Sequence, residues 1–363
     1  MNDKPVFCAL HNILNDHIIK DHGLLSWAMH EYHGYTSILA TYDNEPYENL
    51  KYLPGVHMEF IPRRTGNFIK DSCAWLRKNA KRIDVLFMYH PVMRTVLQAM
   101  TYKFFNPKGK IYIKFDGWFS STGRGSLWKR PLYKWLVRKA DCVSTELEYN
   151  AQLLSKDWGR KIIWIPNPAN PAELQEVRPF SQRHNTILTV GRLGTHQKAT
   201  EILLEAFAKI HALIPDWTLK LAGRFEENLN IAKDFYASHQ ELKERVLFTG
   251  EVRDRQELME LYRDAKIFAF PSRWESFGIV LTEAMMQGCF PVVTRIDTNQ
   301  YLTDNYKFAL ASDVDDVDGL AQNLLQACTH EADTERIALE GMNVTRQRLD
   351  LKRCCDAIEA ELH

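Results

Sequence analysis

Two glutamates stand eight residues apart in PSRWESFGIVLTEAMMQGCFPVVT (271–294), Glu275 before an apolar run and Glu283 inside it. An ionised carboxylate only accepts hydrogen bonds, so a pair of them suits a ligand rich in hydroxyl groups. A capped, solvated helix is the competing explanation. Upstream, VGRLGTHQKAT (190–200) supplies Arg192 and Lys198. Two cations where a strand gives way to a helix suit a diphosphate, because fixed positive charge then adjoins free backbone N–H groups. A solvated basic loop would look the same at this stage. No G-x-x-x-x-G-K-[ST] run is present, so this is not a P-loop, and no G-x-G-x-x-G follows a strand, which argues against a bound dinucleotide.

The surrounding elements place these residues. Strands are expected at 186–191, 218–223, 245–250, 266–271, 290–294 and 307–312, with helices at 199–213, 228–243, 254–264 and 278–287. Near-continuous apolar strands alternating with helices indicate a parallel sheet covered on both faces. Three of the strands end in glycine, at Gly191, Gly223 and Gly250. Each alone is an ordinary turn; three on one edge of an open sheet suggest a ligand approaching the backbone. Glu275 falls in the loop before the helix over 278–287, and the amides of Phe277 to Ile279 open that helix. Glu283 lies about five residues further in, roughly 7–8 Å along the axis.

The first half repeats the alternation, with strands at 5–10, 36–41, 56–61, 84–89, 110–115, 141–145 and 162–165. A proline-rich stretch, PNPANPAELQEVRPFSQRH (166–184), separates the halves. The expected organisation is α/β: a Rossmann-like domain over 1–168, a linker over 169–184, a second Rossmann-like domain over 185–334, and a helix over 335–363 crossing back to the first.

The 363 residues suffice for two large cores without disulfide or metal staples. Seven scattered cysteines form no C-x-x-C pair and read as reduced thiols. No signal-peptide pattern and no spanning apolar run is seen, so a cytoplasmic protein is expected, peripheral at most on the inner face of the plasma membrane. Net charge is zero but uneven: residues 1–168 hold 24 Lys+Arg against 15 Asp+Glu, a net of +9, and the remainder is −9. No nucleic-acid module is recognisable, so the anionic partner expected is a membrane or acceptor.

The motifs GRL…QK, LKLAG, RVLFTG, IPNP and FPSRWESFGIVLTEAMMQGCFPVV together resemble the retaining glycosyltransferases of the GT-B fold, family 4 (glycosyl transferases group 1). The resemblance is specific over 186–294 and architectural over 1–165. It implies two Rossmann-like doubly wound domains facing a cleft and a nucleoside-diphosphate sugar, most often a UDP-sugar, as co-substrate. It implies that Glu275 contacts the donor sugar and Glu283 the ribose hydroxyls. Arg192 and Lys198 would hold the diphosphate with the amides of Ser276, Phe277 and Gly278; Gly191 and Gly223 would line the site, and Val252 would lie near the base. No metal or other cofactor is implied, and no Asp-x-Asp run is present to hold one. Two departures stand out: Ala199 follows Lys198 where the family has glycine, and the early glycine-rich loop is reduced to KDHG, leaving Gly23.

Acceptor-side candidates in the first domain are His22 and Gly23 in an early loop, and His90 and Asp116 at expected strand ends. Asp116 reads either as an acceptor-side base or as a turn former or helix cap. The segment 124–140 carries six basic residues, no acidic one, and three aromatics. It fits an anionic membrane surface or an ordinary helix with its apolar stripe in the core. The activity expected is transfer of a hexose to a glycan or lipid-linked glycan in surface polysaccharide synthesis. The alternatives are a UDP-sugar 2-epimerase or glycosyl phosphorylase of the same fold, or a non-catalytic sugar-nucleotide-binding partner subunit.

Overall fold

A computed structural model describes residues 4–115 and 131–363. Asp116 and residues 124–130 of the basic segment lie outside the described residues. The chain divides into two units, Met1–Asn170 with Leu349–His363, and Pro171–Arg348.

The first unit is built on seven strands: β1 (Val6–Leu10), β2 (Thr36–Thr41), β3 (Val56–Phe60), β4 (Val85–Tyr89), β5 (Lys110–Phe115), β6 (Cys142–Thr145) and β7 (Ile163–Trp164). They pair in parallel in the order β3-β2-β1-β4-β5-β6-β7. Buried residues cover both sheet faces. Leu86, Ile111 and Ile113 pack with the helices Phe68–Asn79 and Met93–Phe105. Phe7, Phe87 and Tyr112 pack with the helices Asp21–His33 and Leu351–Leu362.

The helix Pro131–Lys139 seats Tyr133, Leu136 and Val137 in the first of these cores, while Arg138 and Lys139 are exposed. The described part of the basic segment therefore packs as a surface helix with its apolar side inward.

The second unit has β8 (His184–Val190), β9 (Thr218–Ala222), β10 (Val246–Gly250), β11 (Ala265–Phe270), β12 (Phe290–Thr294) and β13 (Leu310–Ser312). All pair in parallel, in the order β10-β9-β8-β11-β12-β13. Both sheets are thus doubly wound, with the strand order reversing beside their first strand.

Two boundaries differ from expectation. Residues 171–184 are not a free spacer. Phe180 is 3% exposed in the second core, and Arg183 donates to the carbonyl oxygens of Ala265, Gln287 and Gly288. The tail is two helices rather than one. Glu331–Arg348 stays with the second unit, where Gly341 packs so tightly that a Cβ would lie 2.9 Å from the Phe308 Cβ. The crossing falls at Leu349, after which Asp350 caps Leu351–Leu362 through the Arg353 amide. That last helix buries Cys354, Cys355 and Ile358 in the first unit.

Candidate functional site

In the second sheet the order reverses between β8 and β11, and open α/β sheets bind ligands beyond the strand ends at such a point. The loop after β8 brings Gly191, Arg192 and Lys198; the loop after β11 brings Glu275, Ser276, Phe277 and Gly278.

The strand-end glycines form a hydrogen-bonded row, the Gly191 amide to the Ala222 carbonyl and the Gly223 amide to the Gly250 carbonyl. A Cβ on Gly223 would lie 1.7 Å from the Gly191 oxygen, so only glycine fits there. Lys198 precedes Ala199, which caps the helix Thr200–Ile210 at φ 47°, in the left-handed region. This explains why glycine suits the position; alanine there costs about 1–2 kcal/mol of backbone strain.

The two loops are stitched together. Lys198 Nζ lies 2.5 Å from Glu275 Oε1, with the side chains 16% and 8% exposed. The ammonium also sits 5.0 Å from the centre of the Phe270 ring. Gln197 donates to the Trp274 carbonyl at 2.9 Å and accepts from Arg192 Nη2 at 2.5 Å. Arg273 donates its amide to the Gln197 carbonyl and its side chain to the His196 carbonyl, Glu201 and Asp315. The Glu275 carbonyl accepts from Thr298. Gly278, at φ 80°, turns the chain into the helix Ile279–Met286, whose opening amides carry partial positive charge.

Glu283 is buried on that helix. Its Oε1 accepts from Arg255 Nη2 at 2.5 Å and its Oε2 from the Tyr262 hydroxyl at 3.0 Å. Arg255 also grips Glu173 through Nε and Nη2, at 2.9 and 2.8 Å. Burial opposes the charge on Arg255, but Glu283 and Glu173 overcome it and hold the guanidinium firmly protonated. Burial, then the Glu283 charge, pushes the Tyr262 hydroxyl well above its ordinary range. Val252 lies between the Gly250 strand end and Asp254, which caps the helix Arg255–Asp264.

Sequence reasoning missed Glu173, Arg255, Tyr262, Gln197 and Arg273. Arg255 and Tyr262, seven residues apart on one helix, left a signal that periodicity could have found. Glu173 lay in the stretch taken for a linker.

In the first unit, His22, Gly23 and His90 come together at the carboxyl ends of β1 and β4. The His22 ring stacks on Tyr89 at 4.1 Å and faces His11 at 4.6 Å and His17 at 6.1 Å. His11 and His17 were given no role from sequence. Beneath them Lys114, fully buried, pairs with Asp21 at 2.8 Å. A Cβ on Gly23 would lie 1.8 Å from the Ile18 oxygen, so this glycine serves packing. Among the described residues no group of three or more His, Cys, Asp or Glu is arranged to hold a metal ion, and no helix is long and apolar enough to cross a membrane.

Residues 172–342 match the sequence profile of the family described as Glycosyl transferases group 1. Mannosylfructose-phosphate synthase of Agrobacterium fabrum is 29% identical over 231 residues, covering 58% of this chain and 50% of that protein. An Escherichia coli UDP-Gal:alpha-D-GlcNAc-diphosphoundecaprenol alpha-1,3-galactosyltransferase is 29% identical over 227 residues, covering 57% of each chain. The chain thus spans about half the length of these curated relatives. In fold it is similar to Anabaena Alr3699/HepE, solved in complex with UDP and glucose, at a TM-score of 0.72, 16% identity and 99% coverage of both chains. With two doubly wound sheets and this likeness in structure, the chain has the GT-B fold, and residues 172–342, just under half of it, are similar in sequence to the glycosyl transferases group 1.

Proposed function

We propose that the protein is a retaining glycosyltransferase that moves a hexose from a nucleoside-diphosphate sugar, a UDP-sugar first, to a glycan or lipid-linked glycan acceptor. The carrying observation is the meeting of Lys198 and Glu275 at the switch point of the second sheet, beside a helix N-terminus. Breaking a sugar–phosphate bond builds negative charge on the diphosphate and positive charge on the anomeric carbon. Lys198, Arg192 and the amides of Phe277 and Gly278 stabilise the first selectively, and that is where rate is gained. Glu275 binds the sugar's hydroxyls and Glu283 the ribose, with Val252 beside the base. Attack comes from the face the diphosphate leaves, and the leaving phosphate takes the acceptor's proton, so neither a metal nor a protein nucleophile is required.

UDP is favoured because the E. coli relative is named for UDP-Gal and the Anabaena protein was solved with UDP. A lipid-linked acceptor of surface polysaccharide is favoured by that relative's name and by the +9 charge of residues 1–168. The first unit, with His22 and His90, is the proposed acceptor side, and an anionic membrane face the proposed setting. The test is release of nucleotide from UDP-glucose, UDP-galactose and GDP-mannose with lipid-linked and free glycan acceptors. One donor should turn over in the wild type and none in Lys198→Ala. Equal turnover by the variant would sink the assignment.

A further inference from the structure

The buried triad around Arg255 has a geometry that the donor-site chemistry above leaves unexplained. Its guanidinium, Glu173 and Glu283 are 15%, 16% and 10% exposed at the side chain. Burying three charges is costly, and a well-packed apolar set would serve stability as well or better. The arrangement is also lopsided: one cation serves two carboxylates, leaving a net charge of −1. The Nε–Nη2 edge is spent on Glu173 in the two-toothed geometry guanidinium favours, and only Nη2 reaches on to Glu283. Glu173 is itself fastened, since its carbonyl accepts from Gln287 Nε2 at 2.8 Å.

Glu283 takes one hydrogen bond on each oxygen, from Arg255 and from Tyr262. A carboxylate has room for about four, so one lone pair on each oxygen remains. Two acceptors side by side match the two hydroxyls of a vicinal diol.

We propose that Arg255 is a positioning residue for nucleotide recognition: held by Glu173, it fixes the Glu283 carboxylate, with Tyr262, so that its two remaining lone pairs accept the 2′- and 3′-hydroxyls of the donor's ribose. This rests on the reading of Glu283 as the ribose ligand. Arg255 itself touches no substrate; it acts by direction and charge. A carboxylate stripped of it swings or takes up a proton, and a protonated carboxyl offers a donor where an acceptor is needed.

The test compares UDP with 2′-deoxy-UDP by calorimetric titration of the whole chain. The wild type should bind UDP at least about tenfold more tightly, the size expected for a hydrogen bond to a charged group. In Arg255→Gln that ratio should fall towards one, as in Glu283→Gln, and Tyr262→Phe should lower it in part. A role confined to folding would weaken both ligands alike and leave the ratio unchanged. Arg255→Gln strands two buried carboxylates, so Arg255→Gln/Glu173→Gln is made beside it; this pair should fold and still lose the preference. A full preference in either folded Arg255 variant, with the preference gone in Glu283→Gln, overturns the role of Arg255 alone. The absence of any wild-type preference for UDP over its 2′-deoxy form, or for GDP over its own where GDP is the nucleotide bound, overturns the ribose reading with it.

Discussion

Lys198 Nζ and Glu275 Oε1 lie 2.5 Å apart, although 77 residues separate them in the chain. The cation assigned to the leaving diphosphate and the carboxylate assigned to the sugar form one ion pair, largely removed from water. Lys198 has three N–H donors, so it can keep Glu275 and still meet a phosphate.

Breaking that pair from one side should cost more than removing it. Lys198→Met leaves Glu275 buried without its partner and is expected to lose about 2–3 kcal/mol of stability. Lys198→Met/Glu275→Gln should recover most of that loss. Urea unfolding checks the stability; sugar transfer should stay at least about 100-fold down in both, because a charge-stabilising group is gone.

Gly223→Ala should destabilise the second unit by at least about 2 kcal/mol. The added methyl would strike the Gly191 carbonyl, and the backbone there, at φ 147°, disfavours any side chain. Thermal unfolding measures the loss. Gly34→Ala is the control: φ is also positive at Gly34, but its added carbon meets nothing within 4 Å, so the cost there should be backbone strain alone.

The first unit should lose stability in acid, in two stages. Burial, with His22 and Arg94 nearby, lowers His11 to about 2; His17 and His90 also face it. Below about pH 6.5 the unfolded chain takes up a proton that folded His11 refuses, so its contribution is complete above that pH and drains as pH falls, by at most about 1.4 kcal/mol per unit. Asp21 acts lower. Burial opposes its ionisation, but Lys114 and His22 outweigh that and hold it well below the usual range, so its contribution is present above about pH 4 and lost beneath. Denaturation of His11→Gln between pH 7 and 5 should show a flatter pH dependence than the wild type.

If the first unit meets an anionic membrane, Arg138→Glu/Lys139→Glu should weaken sedimentation with phosphatidylserine vesicles by about tenfold or more, at roughly 1 kcal/mol per basic residue. Salt should suppress binding of the wild type. Vesicle binding unchanged in the variant would remove this helix from the interaction.

The strands were legible because buried parallel strands read as short apolar runs, and Ile111 or Val292 needs only its neighbours in sequence to be placed. Arg192, Lys198 and Glu275 stood out as residue types in loops after strands, and Glu283 as a carboxylate inside an apolar helix. Their partners were not. Tyr262 and Arg255 reach Glu283 only through the packing of one helix against another. Glu173 and Arg183 sat among prolines that signal a spacer, whereas Phe180 and Arg183 anchor that stretch to the second core. The break at Leu349 was hidden because both flanking helices carry amphipathic patterns that read as one.

The most direct measurement is calorimetric titration of the folded protein with UDP, GDP, ADP and CMP, for the wild type, Glu283→Ala and Arg192→Ala/Lys198→Ala. Selective binding of one nucleoside diphosphate, UDP first, that both variants lose is the predicted result. No binding of any of the four by folded wild type would contradict the donor site.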